Sequence, residues 1–159
     1  MNKFHKVSIE QYQKDWGIEY IAYDKLKLPK RMTINAAGYD FFSPLKFELK
    51  VGETIKISTG IKIELDPNLW LMILPRSGHG FNYRIQLDNS VGCIDQDFFN
   101  NIKNEGNIYV KITNDGHEGK TLYVNEGEAF CQGIITNYYK VIDDVEGEVR
   151  TDGLGHTSK

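Results

Sequence analysis

The chain has little cysteine. Cys93 and Cys131 are the only two in 159 residues, and each sits inside an apolar stretch. That pattern excludes a disulfide framework and fits buried structural thiols in a reducing compartment. Metal-ligand spacing is missing as well: His5, His79, His117 and His156 are scattered and neither cysteine has a nearby partner in sequence, so no zinc centre is expected. No apolar run approaches the roughly 20 residues that cross a bilayer, and no basic-then-apolar leader follows Met1. A soluble, cytoplasmic protein with no membrane association is expected. Positive charge is not in excess either. Against 22 Asp and Glu stand 19 Lys and Arg, a net charge of −3 that argues against nucleic-acid binding and requires any phosphate site to be local.

What is present is enough for one domain, since a chain of this length buries roughly 70% of its unfolded surface. Residues 4–16 read as a helix, with Ser8 able to cap, Gln11 three residues on as in a capping box, and Gly17 as the stop after Trp16. Beyond it, apolar and polar residues alternate in short segments. Ile55 and Ile57 oppose Lys56 and Ser58; Ile61, Ile63 and Leu65 oppose Lys62 and Glu64; Ile108, Val110 and Ile112 oppose Tyr109, Lys111 and Thr113. Residues 69–74 are apolar throughout, as in a strand covered on both sides, and Pro75 ends the run. Turn signals at Pro44, Gly52, Pro67, Gly116 and Gly127 are spaced for a jelly roll or barrel rather than a βαβ repeat. Residues 150–159 have almost nothing to bury and read as a mobile arm.

Five segments combine a turn or strand end with polar groups suited to a phosphorylated ligand: Ala36-Ala37-Gly38-Tyr39-Asp40, Pro75-Arg76-Ser77-Gly78, Gly92-Cys93-Ile94-Asp95-Gln96-Asp97-Phe98, Gly127-Glu128-Ala129-Phe130-Cys131-Gln132, and the stretch from Arg150 through Gly153-Leu154-Gly155-His156-Thr157-Ser158. Each has a plain reading beside the functional one. Arg76, Ser77 and Gly78 offer a guanidinium, a hydroxyl and backbone amides for phosphate oxygens, or form a surface turn with a solvated arginine. Asp95, at a strand end, can hold and deprotonate a water, or can cap its own turn. Phe98 is a wall against a sugar or a core aromatic; Gln132 is an amide donor to phosphate or an exposed strand residue.

In this order and spacing the five segments resemble the motifs of the trimeric dUTPase family, and the resemblance runs from about Leu28 to the C-terminus. It implies an all-β fold, a distorted jelly roll or β-barrel with a short N-terminal helix, assembled as a homotrimer whose sites draw on more than one chain. The expected divisions are an N-terminal extension at 1–27, a dUTPase-like β domain at 28–148 and a flexible arm at 149–159 that closes on an active site. The implied reaction is hydrolysis of dUTP to dUMP and pyrophosphate, a dUTP diphosphatase activity with Asp95 activating the water. Arg76, Ser77, Gly78 and Gln132 then contact phosphates, with Asp40 organising the site from behind and Asp97 structural. Asn89, Gly92 and Ile94 belong to the hairpin that reads uracil through main-chain groups, and Phe98, where tyrosine is usual, excludes a 2′-hydroxyl. From the arm, Arg150, Gly155, His156 and Thr157 are the expected contacts.

Two departures stand out. Ala129 occupies a position that is commonly basic in the family, and Leu154 replaces the phenylalanine that closes over uracil. An extra segment at 100–106 brings Phe99 and Tyr109 forward as candidate replacements for that lid. For the triphosphate, Mg²⁺ held by phosphate oxygens and water, with no direct protein ligand, is the expected cofactor. Two other readings stay open: a relative of the dCTP deaminases, which carry glutamate where this chain has Asp95, and a module that uses the same fold to bind a regulatory protein partner.

Overall fold

The computed structural model describes residues 1–17, 23–145, 147 and 150. Gly155, His156, Thr157 and the Leu154 position lie outside the described residues. Eleven strands and two short α-helices make up the described chain, and each strand ladder is antiparallel. No helix among the described residues is long and apolar enough to cross a membrane.

The chain opens with β1 (Lys3–Lys6), which pairs with β5 (Ile61–Glu64), so the expected helix at 4–16 is shorter than its pattern implied. The alternation of Phe4 against its polar neighbours fits an edge of the sheet, and Phe4 packs edge-on to Tyr39 and Phe41. Helix α1 (Ile9–Trp16) follows. Ser8 caps it by accepting from the Gln11 amide, and Gly17 ends it at a φ of 85° with its N–H on the Gln13 carbonyl. Gln11 does not close the capping box. That half is supplied from 97 residues away by Glu105, which accepts from the Ser8 amide at 2.9 Å and the Ser8 hydroxyl at 2.5 Å.

The main body is a four-stranded sheet in the order β2-β11-β6-β8, built from β2 (Gly38–Phe42), β11 (Ala129–Asn137), β6 (Leu69–Pro75) and β8 (Gly92–Ile94). Beside it lie a three-stranded sheet in the order β4-β9-β7, from β4 (Thr54–Ser58), β9 (Tyr109–Asn114) and β7 (Ile85–Leu87), and a pair formed by β3 (Phe47–Leu49) and β10 (Leu122–Val124). Their inward side chains form one core that includes Phe41, Ile57, Ile63, Leu71, Ile73, Ile108, Ile112 and Phe130. The alternation expected for residues 55–65 and 108–113 places its apolar set in this core, with one exception. Ser58 was expected on the wet face and is buried, because α1 lies over it: Trp16 Nε1 donates to the Ser58 carbonyl and Ser58 Oγ donates to Asp15.

Strand β6 differs from its expected two-sided cover. Leu71 and Ile73 are fully buried, whereas Trp70, Met72 and Leu74 alternate with them as half-buried residues, so one face of the strand is only partly covered within a single chain. Pro75 is the last strand residue, opposite Cys131. After Arg76 the chain enters α2 (Ser77–Tyr83), a helix that its two glycines had concealed.

The extra segment at 100–106 is tied to itself and to the N-terminus. Asn101 Nδ2 donates to Asn104 Oδ1 and to the Phe98 carbonyl, Asn104 Oδ1 accepts from the Gly106 amide, and Lys62 Nζ bridges Asn100 and Glu105. Burial raises the Glu105 pKa, but the Ser8 hydrogen bonds and Lys62 outweigh it and hold the carboxyl below the ordinary glutamate value. Glu105→Ala is therefore expected to lower stability by about 1–2 kcal/mol at neutral pH, as loss of a helix cap does. A group whose folded pKa is lowered contributes its stability above the unfolded value and loses it as pH falls through the folded one. The gap between wild type and variant in urea unfolding should thus be full at neutral pH and close as the pH drops below the glutamate range.

Candidate functional site

The expected site residues fall into two groups at opposite ends of β6. At its C-terminal end, Arg76 Nη1 donates to the Ala129 carbonyl at 3.2 Å, and Nη2 lies 3.5 Å from Oδ2 of Asp40 on β2. Ser77 and Gly78 form the exposed first turn of α2, where backbone N–H groups lack helical partners. Gln132, on β11 between the two, donates Nε2 to the Pro75 carbonyl at 3.0 Å. A Cβ on Gly38 would come within 2.7 Å of Gln132 Oε1, so glycine at 38 is what lets the glutamine lie flat across β2. Behind Arg76, His79 is buried; loss of solvent first, then the Arg76 charge, lowers its pKa and favours the neutral ring.

Toward the other end, β8 pairs with β6 in the register Leu71↔Ile94, Met72↔Cys93 and Ile73↔Gly92. Gly92 is required by this packing, since a Cβ there would meet Ile73 Cβ at 2.9 Å. Asp95 follows Ile94 and precedes a 3-10 turn at Gln96–Phe98, to which its side chain makes no capping hydrogen bond. Its side chain is 46% exposed, and Oδ2 receives Arg150 Nη2 at 2.7 Å. Arg150 Nε also donates to Asp97 at 2.8 Å, and the guanidinium stands 6.0 Å from the centre of the Phe98 ring. Asp97, expected to be structural, thus shares a cation with Asp95.

Two cavities meet here. One, about 400 Å³, is lined by Trp70, Cys93, Asp95, Gln96, Asp97, Tyr138 and Arg150. Its neighbour, about 410 Å³, holds Asn89, Gly92, Ile94 and Phe98 together with Ile73, Leu87, Tyr109 and Val110, and its rim carries Lys56, Asp88 and Lys111. This second space is mostly apolar, of nucleoside size, with a few polar groups at the edge. Sequence reasoning missed Trp70, Tyr138, Lys56 and Lys111; only the strand alternation that turns Lys56 and Lys111 outward pointed to any of them.

Phe99 and Tyr109, the two candidate lids, part company. Phe99 leans on His5, with ring centres 5.5 Å apart, and on Lys62, and lines neither cavity. Tyr109 stays in the wall of the 410 Å³ cavity. Neither cavity includes Arg76, Ser77, Gly78 or Gln132. The register explains why. Asp95 lies next to Trp70, six residues before Arg76 along β6, which at about 3.3 Å per strand residue separates the two by roughly 20 Å. No set of three or more His, Cys, Asp or Glu among the described residues is placed to hold a metal ion.

A carboxylate in the cavity that adjoins a nucleoside-sized pocket, with Arg76 and Gln132 elsewhere on the same sheet, is an arrangement suited to a phosphorylated nucleoside. The dUTPase family model matches residues 24–157. A deoxyuridine 5′-triphosphate nucleotidohydrolase of Thermoanaerobacter sp. (strain X514) is 37% identical over 139 residues, covering 83% of this chain and 88% of the relative. The dUTPase of Streptococcus mutans, 30% identical, superposes with a TM-score of 0.66 over 87% of this chain and 97% of that one. A dUTPase from phage phi11 of S. aureus that coordinates a structural Mg(II) ion shares the fold at 19% identity, with a TM-score of 0.64 over 92% and 97% of the two chains. The chain belongs to the dUTPase family.

Cys93, expected to be buried, is exposed, because it lies on the outer side of edge strand β8, facing the cavities; Cys131 is buried as expected. Partial desolvation first, and then the Asp95 carboxylate, push the Cys93 thiol up to about 11. Alkylation by iodoacetamide should therefore label Cys93 alone in the folded protein, at a rate rising about tenfold per pH unit between about pH 8 and 10 as thiolate accumulates. Mass spectrometry of the labelled protein checks both points; a rate that levels off near pH 8 would contradict the assigned environment.

Proposed function

We propose that this chain hydrolyses dUTP to dUMP and pyrophosphate, with Asp95 as the base that positions and deprotonates the attacking water. The observation that carries the reading is the place of Asp95: a half-exposed carboxylate, held by Arg150, in the wall of a cavity that shares Cys93 and Arg150 with a nucleoside-sized pocket. With the base and sugar against Gly92, Ile94, Asn89 and Phe98, the α-phosphorus falls near Asp95. Water attacks phosphorus, its proton passes to the carboxylate, and the bond from the α-phosphorus to the bridging oxygen breaks to release pyrophosphate. Arg150 exchanges its carboxylate partners for phosphate oxygens as substrate binds, one charge-assisted contact for another. Phe98 keeps the flat wall that excludes a 2′-hydroxyl without a phenolic oxygen of its own.

Arg76, Ser77, Gly78 and Gln132 serve the phosphates, with Asp40 holding Arg76 in place. Roughly 20 Å from Asp95, they cannot reach the same triphosphate within one chain, which supports a site completed by a second copy and a homotrimer as the working form. The half-covered face of β6, with Trp70, Met72 and Leu74, supports the same reading. Gly155, His156 and Thr157 close the arm over the site in this scheme. Mg²⁺ carried by phosphate oxygens and water would neutralise charge on the phosphates. The expected setting is the cytoplasm.

Pyrophosphate release from dUTP, dCTP, dTTP and UTP, with and without Mg²⁺, tests the substrate and the cofactor together. Preference for dUTP is expected, and ammonia release from dCTP would instead indicate a deaminase. Asp95→Asn should reduce turnover by about 10²–10⁴-fold, the usual worth of a general base, while leaving the melting temperature close to wild type.

A further inference from the structure

The N-terminal helix lies outside the stretch that matches the family, yet it reaches the nucleoside pocket through one side chain. Tyr109 lines the 410 Å³ cavity on one side and, on the other, a smaller cavity of about 250 Å³ shared with Lys14, Asp15, Trp16, Lys56 and Ser58. Its hydroxyl donates to Asp15 Oδ1 at 2.8 Å across 94 residues of sequence. Asp15 is itself held from four directions. Oδ1 also accepts from Gln11 Nε2 at 3.1 Å, and Oδ2 accepts from Ser58 Oγ at 3.0 Å and from Asn107 Nδ2. Asn107 is fully buried and anchors this side of the network by donating to Ser58 Oγ at 2.7 Å and accepting from the Gly60 amide at 3.0 Å. Lys56 Nζ stands 4.6 Å from the centre of the Tyr109 ring.

We propose that Asp15 is a positioning residue for substrate binding: it fixes the Tyr109 ring as a rigid wall of the nucleoside pocket, so that the N-terminal helix sets the affinity for dUTP. A tyrosine hydroxyl in water would let its ring turn about two side-chain bonds. Bound to a carboxylate that is already immobilised by three further donors, the ring has one orientation, and the pocket is formed before the nucleotide arrives. The phenol is a committed donor, because burial and the Asp15 carboxylate push its pKa up to about 12. Tyr109 is one of the two candidate lids that the sequence offers, and its hydroxyl anchor makes it a fixed wall.

This inference rests on the 410 Å³ cavity being the nucleoside pocket of a dUTP hydrolase. Steady-state hydrolysis of dUTP by the full chain tests it in the variants Asp15→Ala and Tyr109→Phe and in the double variant. Each single change is expected to raise KM about fivefold, the worth of one hydrogen bond, with kcat within about twofold of wild type. The double variant should match the worse single one, because both changes break the same link. A KM unchanged in Tyr109→Phe, which keeps the ring and should fold even if Asp15→Ala does not, overturns the proposal. Effects that multiply in the double variant overturn it too, as does a loss of melting temperature with KM unmoved. A wild-type protein that does not hydrolyse dUTP overturns the functional reading and this inference with it, whereas an active wild type with an unmoved KM overturns this inference alone.

Discussion

Strand β6 is the constraint on which the rest of the site depends. Its seven residues pair with β11 along their whole length and with β8 at Leu71–Ile73, so Arg76 and Asp95 are both referred to one rigid ruler. Arg76 leaves one end of it, held by Asp40 on β2 through the intervening β11. Asp95 leaves β8 beside the other end, with Trp70 and Tyr138 around it. Backbone pairing of this kind leaves little freedom for the two groups to approach each other, because a slip of one residue would turn Leu71 and Ile73 out of the core. The separation between Arg76 and Asp95 is therefore a property of the fold.

Electrostatics within each cluster follow from this spacing. Arg76 is balanced by Asp40, and Arg150 by Asp95 and Asp97, so each cation is already paired with acidic groups and held in place. In a chain with a net charge of −3, the positive charge at both places is thus local, and each guanidinium is held in position by its carboxylates.

Much of this was legible in the sequence. Alternation at Ile55–Ser58, at Ile61–Leu65 and at Ile108–Thr113 marked strands whose apolar faces do form the core, and the ordered motifs marked the family; of the residues they single out, Asn89, Gly92, Ile94, Asp95, Phe98 and Arg150 line the two cavities. What escaped has physical causes. The first strand was read into the helix because Phe4 and the apolar positions of α1 can be placed on one helical face, and only pairing with β5 decides for the strand. Helix α2 carries Gly78 and Gly80, which lower its propensity below what a local reading detects. Ser58 looked solvent-facing because its cover, α1, comes from more than 40 residues earlier. The division of the site into two groups depends on strand register, and the Asp15–Tyr109 contact on chain separation of 94 residues; neither leaves a local trace.

The bond between Ser8 and Glu105 joins the N-terminal helix and the loop after Phe98 into one polar seam. The extra loop after Phe98 supplies the acceptor that starts α1, and α1 supplies the carboxylate that receives Tyr109 and Asn107 at the far end of the same loop. Each segment is the other's scaffold, so removing either one leaves a polar seam with half its partners gone, and the two stand or fall together though 97 residues separate Ser8 from Glu105.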